Sequence, residues 1–395
     1  MPHPNIVQNE SIEAVKSLID GGEYSAAENM ALTELLSHPN DLSILRLLAK
    51  CYKVQQKNSD YLEILKRISE NSSDVLDREI FIDALLGQKQ IEQAFQSKQA
   101  YMSDLNYKRA LRALLSNANP LAQRSHQFYF ATSLSYLKEA LRKLANEIIT
   151  VQEHLNRAMF FIEHLFDLSV FQQQVKNPLH RPSFIAYSGV KEAPFIDAQA
   201  IIENGQFQNI HATIKQSVLE LLRNNSPQPY VKGGLSAPKG LEHLSANSDW
   251  SSLSIHEAGR TLVEEAKPLV KILYENFDLA DCPPMAPEIM ISILQPGTHI
   301  TPHYGISNIK QTLHIPIVLP KGDIGIKVGG IQQTWPENSP LIFDDSFLHE
   351  AWNRSEEVRI VLILDIWHPS LSAEEKTFLN QGFPMISNWR KNVEL

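Results

Sequence analysis

The spacing of apolar residues changes along the chain. Between residues 122 and 175 they recur every three or four positions, a period that predicts one or two long amphipathic helices. After Pro287 the apolar residues form short runs divided by Gly, Pro, Asn and Asp, which predicts a succession of short strands. The sequence therefore predicts an α-helical N-terminal part followed by a β-rich C-terminal part.

The first part of the chain also contains internal repeats. One unit combines small, aromatic and proline positions, namely Gly22, Tyr24, Ala27, Ala31 and Pro39. The next unit places Leu48, Ala49 and Tyr52 where a period of about 34 would put a large, a small and an aromatic residue. A third, degraded unit covers residues 74 to about 110, with Gly87 at a helix turn and Ala94 in the second helix. The pattern resembles tetratricopeptide repeats, in which paired helices stack.

The segment between the repeats and the strands mixes helices with a long loop. Helices are predicted for residues 210–223 and 256–276, the second interrupted by Pro268. Residues 226–252 are rich in Pro, Gly, Ser and Asn and have no periodicity. They are either an active-site lid, hinged at Lys232, Gly233 and Gly234, or a plain insertion.

The β-rich part is predicted to contain seven strands. They cover residues 288–294, 298–303, 311–319, 325–328, 331–335, 340–343 and 358–367. Many short strands at regular spacing indicate a sandwich or a small barrel. We therefore expect an α+β multidomain protein with repeats over residues 1–120, a helical cap or linker over 121–180 and a β domain over 181–395.

Charge and cysteine content narrow the class of protein. The formal net charge of −9 gives no basic footprint for nucleic acid. The two cysteines, Cys51 and Cys282, are far apart and form no CxxC motif, which favours a reducing compartment. Neither a secretory signal nor an apolar run of about 20 residues is apparent. We expect a soluble cytoplasmic protein without a membrane partner.

Two histidines and one arginine of the β-rich part are candidates for chemistry. A ferrous oxygenase site needs two neutral imidazoles, often a carboxylate, and open positions for a cosubstrate and O₂. His303 ends a short strand, and His349 lies on a later one. Arg359 opens an otherwise apolar strand, so its burial would require an anionic partner. The alternatives are two hydrogen-bonded core histidines and an arginine in a surface salt bridge.

Other polar residues nearby have competing interpretations. His299 either competes as a metal ligand or braces a turn, and the brace is favoured. His368, at a strand end, is expected to be structural. Asp344 and Asp345 are either carboxylate ligands or residues of a turn or of the shell around the site, and the second is favoured.

Two motifs make the resemblance to a known family specific. QPGTHITPHYGISN at residues 295–308 and FDDSFLHEAWN at 343–353, running on to Arg359 and to WHP at 367–369, resemble the aspartyl/asparaginyl β-hydroxylase family. The resemblance covers about residues 184–371 and is dense from 292 to 369. It implies a C-terminal double-stranded β-helix (jelly-roll, cupin-like) that uses Fe(II), 2-oxoglutarate and O₂, and some members also carry N-terminal tetratricopeptide repeats.

The family resemblance also implies roles for individual residues. His303 and His349 correspond to the two iron ligands, and Gly305 stands where a facial triad usually places its carboxylate, a position that is non-ligating in this family. Arg359 corresponds to the residue that pairs with the distal carboxylate of 2-oxoglutarate, assisted by Ser292 and His314.

Substrate contacts are expected at Lys310 and Trp250. Family members that act on protein Asp or Asn often have two basic residues on the strand leading to His314. The chain keeps one of them as Lys310 and has Thr312 in place of the other. Residues 249–260 match the substrate region of the family less closely.

The resemblance predicts a dioxygenase that hydroxylates a C–H bond, most simply the β-carbon of Asp or Asn in a peptide or protein. The repeats would then recruit that partner. The alternatives are a hydroxylase of a free amino acid or a tethered biosynthetic intermediate, and an inactive β-helix attached to a repeat scaffold.

Overall fold

The chain folds into two compact units. The computed structural model describes residues 4–198, 206–231, 241–245, 247–337 and 339–395. The helical unit comprises Met1–Tyr136 and Trp389–Leu395, and the sheet unit comprises Leu137–Asn388. No helix within the described ranges is both long and apolar enough to cross a bilayer. The predicted hinge at Lys232, Gly233 and Gly234 lies outside the described residues.

In the N-terminal part, each of the first five helices packs against the helix that follows it. The helices are α1 Pro4–Asp20, α2 Tyr24–Ser37, α3 Leu42–Val54, α4 Asn58–Asn71, α5 Val75–Gly87, α6 Ile91–Tyr101, α7 Leu105–Ser116 and α8 Pro120–Ile148. Asp41, Asp74 and Asp104 cap α3, α5 and α7 by accepting hydrogen bonds from N–H groups of the first turn. These caps recur on every second helix, so local sequence sets where each helical hairpin begins.

The small residues of the predicted repeats lie at the contacts between helices. Ala27, Ala31 and Ala94 are fully buried, as is Leu48. Small side chains let neighbouring helices approach closely while Leu48 fills the space between them. The predicted helical character of the N-terminal part is therefore confirmed, and α5 ends at Gly87, where a helix turn was expected.

Two helix predictions in the middle of the chain were wrong. Residues 122–175 form α8, α9 Gln152–Glu163 and α10 Leu168–Gln172 rather than one or two helices. Thr150 lies in the break between α8 and α9, where its hydroxyl and N–H both donate to the carboxylate of Glu374. The helix predicted over 256–276 begins only at Lys267, because proline is tolerated in the first turn but not in a helix interior.

The sheet unit contains two antiparallel sheets. Its strands are β1 Phe195–Ile196, β2 Gln228–Pro229, β3 Trp250–Glu257, β4 Arg260–Thr261, β5 Ile289–Leu294, β6 Thr298–His303, β7 Lys310–Val318, β8 Ile324–Val328, β9 Ile331–Gln333, β10 Leu341–Phe343, β11 His349–Asn353 and β12 Arg359–Trp367. The major sheet has the order β1-β10-β7-β12-β5-β3-β2, with β4 paired to β3, and the minor sheet has the order β6-β11-β8-β9. All seven predicted strands are present, with ends shifted by a few residues.

The major sheet has an apolar core on each face. One core joins it to α11 Gln206–Asn224 and α12 Lys267–Asn276. The other joins it to the minor sheet, where Ile300, Val328 and Ala351 pack with Phe343 and Val361. Strands β5, β7 and β12 are therefore buried on both faces, which explains why apolar residues occupy both faces of β5 and β12. A C-terminal helix, α13 Ala373–Val393, was not predicted.

Candidate active site

His303 and His349 face each other across two neighbouring strands. They are paired residues in the antiparallel register of β6 and β11, and their ring centroids are 4.1 Å apart. The predicted pair, separated by 46 positions of sequence, is thus brought together by strand pairing alone.

The hydrogen bonds of the two rings fix their tautomers. Nδ1 of His303 donates to the carbonyl oxygen of Thr301 at 2.8 Å, and Nδ1 of His349 donates to that of Phe347 at 2.9 Å. Because a carbonyl only accepts, each Nδ1 carries the hydrogen and each Nε2 keeps its lone pair. Burial lowers the pKa of His303, and it lowers the pKa of His349 to about 4. Two neutral rings oriented by backbone carbonyls are what a metal requires of histidine ligands.

Asp344 and Asp345 each bind a nearby protein group. Asp344 is buried and accepts from the N–H of Ser346 at 2.9 Å, as in a turn, and burial raises its pKa to about 7. Asp345 accepts from the ammonium of Lys310 at 3.0 Å. Within the described ranges no three His, Cys, Asp or Glu side chains converge as a metal site. The contacts of both aspartates fit the favoured interpretation, in which they belong to a turn or surround the site without binding a metal.

Lys310 is enclosed by carboxylates. Its ammonium lies 3.0 Å from Asp345 and 2.7 Å from Asp365, and its side chain is 6% exposed. Burial alone would lower the pKa of Lys310, but the two carboxylates outweigh it and raise that pKa. Its two ion pairs hold the carboxylates of Asp345 and Asp365 in place. These ion pairs were not anticipated when Lys310 was predicted to contact the substrate.

Arg359 is a buried cation that has no carboxylate partner in the described part of the chain. It begins β12 and is 1% exposed. Its guanidinium donates to Oγ of Ser292 at 3.2 Å and stacks 4.8 Å from the ring of Trp335, while its Nε has no hydrogen-bond partner among the described residues. Burial lowers the pKa of Arg359 to about 9. Such a charge is costly unless an anion binds beside it.

Ser292 adds a second donor beside Arg359. Its hydroxyl oxygen accepts from the guanidinium and also from the indole N–H of Trp250 at 3.2 Å. Since both partners are donors only, the O–H of Ser292 remains to donate elsewhere. Ser292 is 1% exposed, so a buried acceptor is required in this pocket.

His314 supplies a third donor, and Trp335 determines which nitrogen donates. The indole N–H of Trp335 donates to Nδ1 of His314 at 3.1 Å, so the hydrogen of the neutral ring lies on Nε2. Burial lowers the pKa of His314 well below its usual value. Trp335 was not identified from the sequence as a site residue, although its large ring at the end of a predicted strand was a possible signal.

The anion pocket adjoins the histidine pair. Phe343 lies between them, with its ring 5.0 Å from His314 and 5.7 Å from His349. On the other side the ring of Trp250 lies 6.5 Å from His303 and stacks on Tyr230 at 4.1 Å. The arrangement suits a bidentate anionic ligand that also reaches a metal on the two histidines.

The two remaining histidines of the β-rich part have structural partners. His299 lies 2.8 Å from a carboxylate oxygen of Glu350 across β6 and β11. His368 is buried, with Nε2 3.1 Å from the carbonyl oxygen of Lys191 and Nδ1 accepting from the N–H of Ser370.

Comparison with known proteins shows which family the sheet unit resembles. Residues 208–369 match the family described as Aspartyl/Asparaginyl beta-hydroxylase. A mouse aspartyl/asparaginyl beta-hydroxylase is 36% identical over 149 residues, which are 37% of this chain and 20% of that protein. A Xenopus tropicalis aspartate beta-hydroxylase domain-containing protein 2 is 43% identical over 96 residues, 24% of this chain and 26% of the relative. An ornithine lipid ester-linked acyl 2-hydroxylase from Rhizobium tropici is 38% identical over 82 residues, 20% of this chain and 29% of the relative.

The chain thus spans only a fifth to less than a third of the length of these relatives. The family match, over residues 208–369, falls on the sheet unit that carries the histidine pair and the pocket around Arg359. Residues 208–369, less than half of the chain, are thus similar to the aspartyl/asparaginyl β-hydroxylase family.

Proposed function

We propose that the sheet unit is an Fe(II)- and 2-oxoglutarate-dependent dioxygenase with a double-stranded β-helix, and that it hydroxylates a C–H bond. The observation that carries the proposal is the buried Arg359, which has no carboxylate partner among the described residues. Its pocket is linked to the histidine pair by Phe343, whose ring lies 5.0 Å from His314 and 5.7 Å from His349. No general acid or base is required for this reaction.

Each residue has a defined part in the proposal. Nε2 of His303 and Nε2 of His349 hold the ferrous ion. The guanidinium of Arg359, the O–H of Ser292 and the Nε2–H of His314 bind the distal carboxylate of 2-oxoglutarate. When bound, the ion and 2-oxoglutarate supply O₂ activation, in which the substrate C–H becomes C–OH and the cosubstrate becomes succinate and CO₂.

Buried aromatic side chains surround the proposed positions of iron and 2-oxoglutarate. Phe343 and Trp250 line the space between the two subsites and exclude water from it. Trp335 covers one face of Arg359 and holds the tautomer of His314, so the donors are set before the cosubstrate arrives.

We propose the β-carbon of an Asp or Asn residue in a peptide or protein as the position hydroxylated. The family of residues 208–369 favours it. The names of the relatives also give a second candidate, position 2 of an ester-linked acyl chain. Both positions lie next to a carbonyl or carboxyl carbon. Because Lys310 is already neutralised by Asp345 and Asp365, it does not by itself favour an acidic target over a neutral one.

The function is tested by turnover with defined substrates. Purified protein is supplied with Fe(II), 2-oxoglutarate and O₂, together with pools of peptides that contain Asp, Asn or, as the matched control, Ala at one position. We expect one oxygen atom to be added to the Asp or Asn peptides, with succinate formed in equal amount. Peptides deuterated at the β-carbon should lose one deuterium on reaction.

Three outcomes distinguish the alternatives. Oxygen addition without loss of β-deuterium contradicts the assigned position. Reaction only with an acyl ester favours the second candidate. If succinate formation is absent with every substrate and the protein binds no iron, the scaffold interpretation replaces the proposed activity.

A further inference from the structure

A groove on the helical unit is lined by residues of α3, α4 and α5. Its volume is about 670 Å³, within the ~300–1,000 Å³ of ligand-binding clefts. The lining residues include apolar side chains at its base, contributed by Ala49, Leu65, Ile68, Ile80 and Ala84. Stacked helical hairpins present such extended concave surfaces to elongated partners.

The groove carries a surplus of positive charge. Of its two aspartates, Asp77 pairs with Arg46 at 2.5 Å and Asp83 pairs with Arg124 at 2.8 Å. Lys50 and Lys53 also line the groove and are exposed, and neither forms an ion pair within the described ranges. The formal net charge of the whole chain is −9, so this concentration of unpaired cations runs against the general charge of the protein.

The polar rim and the shape suit an extended backbone. Asn58 and Gln88 line the groove with amide groups, which both donate and accept hydrogen bonds. At Gly87 a built Cβ meets no heavy atom within 4 Å, so the groove stays open there. Tyr61 adds an aromatic surface.

We propose that this groove binds an extended peptide segment of a partner protein that carries acidic side chains. The carboxylates contact Lys50 and Lys53, the backbone lies against Asn58 and Gln88, and apolar side chains cover the base. The groove lies wholly within the helical unit, and its binding requires no iron or 2-oxoglutarate.

The test measures peptide binding to the full chain in the presence of a metal chelator. The probes are fluorescent random peptides of about 12 residues, which span ~40 Å when extended. They form an acidic pool with Asp or Glu at alternate positions, a pool with Asn or Gln there and a pool with Lys or Arg there. We expect the acidic pool to bind most tightly and its affinity to fall with added salt.

Variants then locate the binding. Lys50→Glu with Lys53→Glu should weaken binding of the acidic pool about tenfold or more, and Gly87→Trp should weaken it by filling the groove. The matched controls are Arg112→Glu, which changes an exposed cation outside the groove, and Gly87→Ala. Both controls should bind as the wild type does.

Two results would overturn the proposal. One is that the acidic pool binds no better than the amide pool. The other is that the lysine variants bind as Arg112→Glu does. Because no iron is present, either result leaves the oxygenase proposal untouched, and failure of turnover leaves this one untouched.

Discussion

The carboxylate of Asp345 fills the space that a side chain at Gly305 would need. A Cβ built on Gly305 lies 2.3 Å from Cγ of Asp345, and the N–H of Gly305 donates to the backbone carbonyl of Asp345 at 2.6 Å. Asp345 is held in turn by the buried ammonium of Lys310. While Asp345 keeps this position, residue 305 has no room for a side chain.

Gly305→Ala tests this relationship. Because Asp345 cannot turn away without leaving Lys310, the added methyl group should lower the free energy of unfolding of the sheet unit by about 1–3 kcal/mol. Denaturant unfolding followed by tryptophan fluorescence measures it. Gly87→Ala is the control, since its Cβ meets nothing and should stabilise by no more than about 1 kcal/mol. Equal stability of both variants and the wild type would contradict the packing argument.

Arg359→Lys should separate cosubstrate binding from iron binding. Lysine keeps the charge but loses the planar fork that binds a carboxylate through two hydrogen bonds. We expect the Kd for 2-oxoglutarate to rise about 30-fold or more, or ~2 kcal/mol, while the affinity for Fe(II) stays within about twofold of the wild type.

Anaerobic calorimetry measures both affinities. Arg354→Lys is the matched control, because Arg354 is an exposed residue paired with Asp323 and lies outside the anion pocket. Unchanged affinity of Arg359→Lys for 2-oxoglutarate would exclude the guanidinium as its anchor.

Trp335→Phe should change the tautomer of His314. Phenylalanine keeps an aromatic face for Arg359 but lacks the N–H that donates to Nδ1 of His314. We expect the ¹⁵N spectrum of His314 to show a mixture of tautomers, and the Kd for 2-oxoglutarate to rise about fivefold, from loss of one hydrogen bond worth about 1 kcal/mol. Trp389→Phe, which loses an indole N–H bonded to Ser133 in the helical unit, should leave both unchanged. A single Nε2–H tautomer in Trp335→Phe would refute the positioning role.

Acid should destabilise the sheet unit partly through His368. Burial lowers its native pKa to about 4, whereas an unfolded histidine titrates near about 6.5. Between these values the unfolded state binds more protons, so stability falls as the pH falls from about 6.5 to about 4, by up to ~3 kcal/mol.

The pH dependence of His368→Gln checks this sign. An amide does not titrate, so the variant should lose less stability than the wild type between about pH 7 and about pH 4. His38→Gln, at an exposed position of the helical unit, should follow the wild type. Parallel curves for His368→Gln and the wild type would assign the acid sensitivity to other groups.

Local patterns predicted much of this fold and the centre of the site. Alternating runs between turn residues placed every strand from β5 to β10 and β12, and the motifs around His303 and His349 identified the pair. Contacts across sequence were not predictable in this way. Lys310 and Asp345 are 35 positions apart, and Trp335 and His314 are 21 apart. Each contact joins segments that are distant in sequence and meet only when the strands of the sheet unit pack.

The wrong helix prediction at 256–266 also arose from a contact between residues that are distant in sequence. His256 and its neighbours form the end of β3, where pairing with β5 determines the conformation. Propensity within the segment is a weak guide when a strand partner lies more than 30 residues away. No helix was predicted where α13 lies; Pro384, inside this helix, belongs to a residue type that normally ends helices.

We propose that His303, His349 and the Arg359 pocket together hold Fe(II) and 2-oxoglutarate. The most direct measurement adds Fe(II) and then 2-oxoglutarate to the metal-free full chain without oxygen, and records the visible spectrum. We expect a weak metal-to-ligand charge-transfer band that requires both additions, is lost in His303→Ala and His349→Ala, and persists in His299→Ala. Iron that binds equally well to the wild type and to His349→Ala, with no band on adding 2-oxoglutarate, would contradict it.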